Sequence, residues 1–214
     1  MKIQFIENFK NHVGLFFNSP VKNGENSDFV FIHIAKTGGT SVVHVTGRAF
    51  RKHLTVKEVI RYIGKKKWDS VYKFTVVRNP WAKVVSQYKF RTKTNKSKMK
   101  ENPISFKDWV IKVFKENDDF YYKCRPLLFA PQVFWLKNYD GIIDVDNIIR
   151  FENLNEEFSE VAKHIGIDSD LPHLNSTKRS KYTDYYDEET KKIVADWFWE
   201  DIKTFGYTFN EQIF

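Results

Sequence analysis

Six consecutive residues, Lys36-Thr37-Gly38-Gly39-Thr40-Ser41, can between them surround an anion. The lysine supplies a full positive charge, and the threonines and serine supply hydroxyl donors. The glycines let backbone N–H groups come close to a charged oxygen. The residues before them run from Phe29 to Ile34 and are almost continuously apolar, which reads as a buried strand. Thr40 to Val43 can open a helix, whose N-terminal dipole adds positive potential. Strand, glycine turn and helix start together make a phosphate-binding loop. Its order differs from the nucleotide-triphosphatase pattern G-x-x-x-x-G-K-[ST], in which the lysine follows the glycines. Here it precedes them.

A second group with chemical meaning lies in the stretch from Phe74 to Tyr88. Arg78 stands at the end of the strand-like run Val71–Val77, and open α/β sheets bind ligands at the C-terminal ends of their strands. Its planar fork can take a phosphate bidentately. Ser86 falls about two turns into the helix that follows, so Arg78 and Ser86 can share one anion. Taken alone, an arginine at a strand end is an ordinary ion-pair partner. With a phosphate loop one β-α unit upstream, the two motifs suggest one ligand with two anionic groups.

The elements that must carry these residues alternate along the chain. Helices are expected over Thr40–Phe50, over Val56–Ile63 behind a Thr55 N-cap, and after Asn79-Pro80, which suit the N-cap and first helical positions. Trp81, Val84, Val85 and Tyr88 give that last helix an apolar stripe, which favours a core place for Trp81 over stacking near a nucleotide. Further helices are expected over Ser105–Lys115, over Leu154–Ile165 closed by Gly166, and over Asp187–Thr204. Short strands are expected within Ile142–Phe151, broken near Asp144–Asn147. The fold class is therefore α/β, a P-loop-like three-layer fold with a mainly parallel central sheet flanked by helices. Residues 1–27 read as a lead-in and 28–214 as a single domain.

A formal charge of +8 over 214 residues favours an anionic partner. The single cysteine, Cys124, excludes an intrachain disulfide and suits a reducing compartment. No stretch reaches the ~18 apolar residues of a spanning helix, so the expected location is cytoplasmic. Lys2, Lys10, Phe5, Ile6 and Phe9 offer a peripheral membrane contact as the alternative to packing on the domain. Arg91–Lys100 carries five basic residues and no acid, and reads as a solvated loop that can rim an acidic acceptor.

With both anion motifs in order, the chain resembles the PAPS-dependent sulfotransferases, especially the carbohydrate branch of heparan 2-O- and chondroitin/dermatan enzymes and their bacterial relatives. PAPS is 3′-phosphoadenosine 5′-phosphosulfate. His33–Ser41 matches that family's H-x-P-K-T-G-G-T-S loop, with Ala35 in place of proline, and Arg78–Tyr88 matches R-N-P-W-x-x-x-x-S-x-Y. Similarity continues through Phe151–Leu154, Leu171–Asn175, Arg179, Tyr182, Tyr185-Tyr186 and Phe205–Phe209.

The resemblance implies transfer of a sulfuryl group from PAPS to an acceptor hydroxyl, on a glycan or another hydroxyl substrate, leaving adenosine 3′,5′-bisphosphate. It implies no metal, and nucleic acid is not an expected partner. Lys36 would hold the 5′-phosphate and the bridging oxygen. Thr37, Gly38, Gly39, Thr40 and Ser41 would complete that site, and Arg78 and Ser86 would hold the 3′-phosphate. Arg179 reads either as a further 3′-phosphate contact or as the partner of an acid. For the general base the choice is His53, because the branch places its base histidine between the two anion motifs. A surface histidine flanking the helix is the alternative, and Glu58 is the other base candidate. His33 reads as a packed residue behind the site, His173 as orienting the late loop, and Gln132 as lining the acceptor cleft. Two other classes stand beside this reading. One is a P-loop kinase or NTPase, which would need magnesium and an acidic partner for it. The other is a non-enzymatic binder of acidic polymers, which would show steep salt dependence without turnover.

Overall fold

The computed structural model describes residues 19–48, 51–168, 171 and 181–210. The chain forms an α/β fold whose four-stranded, mainly parallel sheet is flanked by helices. It divides into two compact units, Met1–Val77 with Phe134–Leu174, and Arg78–Val133 with Asn175–Phe214.

The first unit holds the sheet. Its strands are β1 (Val21–Lys22), β2 (Phe29–Ile32), β3 (Tyr72–Val77) and β4 (Asn147–Arg150), in that spatial order. β1 is antiparallel to β2, and β2, β3 and β4 run parallel, with Phe31 opposite Phe74 and Thr75 opposite Ile148. β1 lies within the segment expected to be a lead-in.

Alternation along the strands sorts their side chains onto two faces. Phe29, Phe74, Val76 and Ile149 build a core with Val42 of α1 (Gly39–Thr46) and with Phe158, Val161, Ala162 and Ile165 of α7 (Leu154–Ile165). Val30, Ile32, Thr75 and Val77 occupy the other face and are also buried, and Lys73 there lies 5.8 Å from the Trp68 ring of α3 (Lys65–Asp69). Burial on both faces explains why these strands read as continuous apolar runs.

Caps set the helix boundaries. α2 (Val56–Ile63) starts at Thr55, whose hydroxyl accepts the Glu58 N–H while the Glu58 carboxylate accepts the Thr55 N–H at 2.8 Å, a complete capping box. α1 ends four residues before the expected Phe50, because Gly47 turns to φ 77°. α7 closes at Gly166 as expected, with φ 71°.

The second unit is helical. It contains α4 (Pro80–Lys93), α5 (Phe106–Val110, continued as a π turn over Ile111–Lys115), α8 (Glu188–Trp197) and α9 (Trp199–Phe205), and α6 (Gln132–Leu136) begins in it. Trp81, Trp109, Phe106, Phe114, Phe129 and Phe198 dominate its core. The single helix expected over Asp187–Thr204 is two, because the backbone of the buried Phe198 leaves the helical region. The basic segment Arg91–Lys100 is not simply a solvated loop. α4 continues through Lys93, Met99 is buried, and the buried Arg91 guanidinium bonds Ser97 Oγ at 2.6 Å and lies over the Phe129 ring.

Candidate active site

The anion loop in the first unit runs from the end of β2 into α1. Gly38 is the N-cap of α1 at φ 84°, with no side-chain cap, and the first turn carries no acid. The first N–H groups of a helix have no partner within it. An uncapped start without an acid therefore suits an anion. Lys36 also adopts a left-handed φ, 70°, which is uncommon for a residue with a side chain.

Two aromatic rings press on this loop and explain its glycines. A Cβ on Gly38 would meet the Phe151 ring at 2.6 Å, and one on Gly39 would meet the His33 ring at 2.3 Å. Phe151–Leu154, which sequence similarity singled out without a role, is thus the lid of the glycine turn. Gly39→Ala is expected to displace the His33 ring and to cost about 1–3 kcal/mol as an overpacked site. A lowered urea midpoint with an unchanged slope would show it; a wild-type midpoint would refute it.

Thr37 is buried, and its hydroxyl donates to the Ile34 carbonyl at 2.9 Å, so this side chain closes the turn from inside. Thr40 is exposed and Ser41 half-buried, with the Ser41 N–H donating to the Gly38 carbonyl at 3.0 Å.

His53 lies beside this loop. Its ring sits 4.5 Å from the His33 ring and edge-on to Trp135 at 6.3 Å, and its Nδ1 is 2.9 Å from the His33 carbonyl oxygen. A carbonyl can only accept, so Nδ1 carries the hydrogen and Nε2 keeps the lone pair of the neutral ring. That tautomer places the ring's basic lone pair on Nε2. The φ of 62° at His53 is the turn that brings the ring to this position. Burial, then His53 when it is protonated and the charge of Lys52, push His33 down to about 3, so His33 is neutral at pH 7.

A cavity beside the two histidines is rimmed by Lys22, Arg48, Arg51 and Lys52, and no carboxylate lines it among the described residues. Lys22 Nζ donates to the Arg48 carbonyl at 2.7 Å, and burial lowers its proton affinity. Glu58, the other base candidate, is committed to the capping box of α2.

The second unit carries Arg78 and Ser86, both half-buried. Arg78 precedes Asn79, which caps α4 by accepting from the N–H groups of Trp81 at 3.1 Å and Ala82 at 3.4 Å. Asn79 Nδ2 donates to the Thr208 carbonyl at 2.9 Å, and the Phe209 ring meets Trp81 edge-on. This is the work of the Phe205–Phe209 similarity, and Trp81 is a core residue as its stripe implied.

Gln132 does not line a cleft. It is fully buried, its Oε1 accepts the Arg78 N–H at 2.9 Å, and its Nε2 donates to the Arg78 carbonyl at 2.8 Å. Its isolation in sequence, 54 residues from Arg78, left no signal for this. Arg179 and His173 lie outside the described residues.

Among the described residues no helix is long and apolar enough to cross a membrane. A family described as "Sulfotransferase family" matches residues 23–208. The chain is similar to an uncharacterized protein of Archaeoglobus fulgidus, 34% identical over 121 residues, which make up 56% of this chain and 89% of that protein. Among solved structures it is similar to a sulfotransferase from Alicyclobacillus acidocaldarius, at 16% identity and a TM-score of 0.40 over 91% of this chain and 83% of that one.

Proposed function

Because this chain belongs to the sulfotransferase family, we propose that it moves a sulfuryl group from PAPS to a hydroxyl of a carbohydrate acceptor. The observation that carries the reading is the bond from His53 Nδ1–H to the carbonyl of His33, the residue whose ring rests on Gly39 of the anion loop. Base and loop are held by one residue.

Sulfuryl transfer is an in-line displacement, with charge gathering on the leaving oxygen. The acceptor oxygen bonds to sulfur as the bond from sulfur to the 5′-phosphate oxygen breaks. His53 Nε2 takes the acceptor proton. Lys36 places its charge on the departing oxygen, and Gly38, Gly39, Thr40 and Ser41, with the Thr37 backbone, hold the 5′-phosphate. Arg78, Ser86 and Arg179 hold the 3′-phosphate. These donors supply the positive potential, and the mechanism uses no metal. The cations around the cavity beside His53 favour an acceptor that carries negative charge. The single cysteine, Cys124, fits a cytoplasmic setting.

The test is calorimetric binding of adenosine 3′,5′-bisphosphate, 5′-AMP and ATP. The bisphosphate is expected to bind best without magnesium, and Arg78→Ala to erase most of its advantage over 5′-AMP, roughly 1.5–3 kcal/mol for a charged hydrogen bond. Equal weakening of both ligands by Arg78→Ala would refute the assignment. Tightest binding to ATP with magnesium would favour a kinase or NTPase instead.

A further inference from the structure

Among the described residues of the second unit, the side chains of Asp201 and Lys83 are almost wholly buried, and the proposed chemistry uses neither. Asp201 of α9 is 0% exposed and Lys83 of α4 is 3% exposed. Burying charge is costly unless each charge is paired and hydrogen-bonded. Burial lowers Lys83 to about 8 and raises Asp201, and each feels the other's charge. Apolar residues of similar volume often fill such a space at no loss of stability, so the carboxylate calls for a local reason.

Its hydrogen bonds supply one. Asp201 Oδ2 accepts the Gln132 N–H at 2.8 Å and Gln132 Nε2 at 3.2 Å, and Oδ1 accepts the Val133 N–H at 2.9 Å. The carboxylate therefore holds both the backbone and the side-chain amide of Gln132 at the start of α6. That amide grips Arg78 from both sides, taking its N–H and donating to its carbonyl. Because Gln132 Nε2 donates to Asp201 and to the Arg78 carbonyl, the amide cannot flip without setting its oxygen against two acceptors. One orientation is thus enforced. Lys83 stands on α4, the helix that Arg78 leads into, with its Nζ 5.0 Å from the Phe198 ring centroid.

We infer that Gln132 and Asp201 are positioning residues for nucleotide recognition: through a fixed amide they set the Arg78 backbone, and with it the direction of the guanidinium that reads the 3′-phosphate. The inference rests on the proposed role of Arg78. Fully buried side chains that never touch the ligand would then decide whether the protein distinguishes adenosine 3′,5′-bisphosphate from 5′-AMP.

The experiment measures dissociation constants of both nucleotides by calorimetry for the wild type, Arg78→Ala, Gln132→Met and Gln132→Glu. Gln132→Met keeps the volume and removes both bonds to Arg78. Gln132→Glu keeps the acceptor for the Arg78 N–H and loses the donor. The readout is the 5′-AMP constant divided by the bisphosphate constant. Both nucleotides meet the same folded fraction, so partial unfolding cancels from the ratio and only altered reading of the 3′-phosphate moves it. The expected result is a ratio ~10-fold below wild type for Gln132→Met, about the loss of one charged hydrogen bond, and at least as low for Gln132→Glu, whose second carboxylate oxygen faces the Arg78 carbonyl and Asp201. The 5′-AMP constant, corrected for folded fraction, should change little. A wild-type ratio in both Gln132 variants, with Arg78→Ala lowering it, would overturn the inference alone. A wild-type protein with no preference would instead overturn the reading of Arg78 itself.

Discussion

His53→Ala is expected to lower turnover ~10²–10⁴-fold, the usual contribution of a positioned general base, while the affinity for PAPS stays close to wild type. The separation follows from what the ring touches. His53 is fixed by the His33 carbonyl and stands at the basic cavity, where an acceptor enters in the proposed reaction. In the proposed reaction the donor is held by the loop and by Arg78 and Ser86, none of which needs the imidazole. Single-turnover kinetics with saturating donor check this directly. A variant that keeps near-wild-type turnover would remove His53 as the base, and equal losses in donor affinity and turnover would make it a structural support of the loop. Glu58 would not then inherit the role at no cost, because its carboxylate holds the N-terminus of α2, and Glu58→Ala is expected to reduce stability first.

Lys36→Ala is expected to reduce sulfuryl transfer ~10²–10³-fold, the scale found when one donor to a developing negative charge is deleted. The lysine sits in a left-handed turn between β2 and α1. Alanine at that φ is no less strained than lysine, so the backbone of the loop has no reason to relax. The loss should therefore appear in the chemical step. Lys36→Arg keeps the charge with a broader head group and should recover part of the rate, whereas Lys36→Gln should not. Wild-type turnover in a folded Lys36→Ala protein would refute the role. So would a loss that appears only as weaker donor binding, because it would show that the charge acts before the transition state.

Local patterns in the chain determined a good deal. The apolar runs of β2 and β3, the Thr55–Glu58 box, the Asn79-Pro80 helix start and the Gly166 stop all act over a few residues, so each could be read from its neighbours. The strand-turn-helix form of the proposed anion loop was legible for the same reason: lysine, two glycines and a helix start are contiguous. The limits of local reading show where packing takes over. α1 is capped at Gly47, one helix divides at the buried Phe198, and the buried Arg91 of the basic Arg91–Lys100 stretch bonds the Tyr121 carbonyl, 30 residues on. What only the tertiary structure decided is how the chemical residues are held. The tautomer of His53 depends on a carbonyl 20 residues away, the glycine turn is shaped by Phe151, and Arg78 is set by an amide 54 residues on, itself set by Asp201. Such bonds leave no periodicity, because a glutamine or aspartate that serves one distant partner looks in sequence like any other polar residue. They form only after the helices have packed, and burial then makes each of them costly to lose.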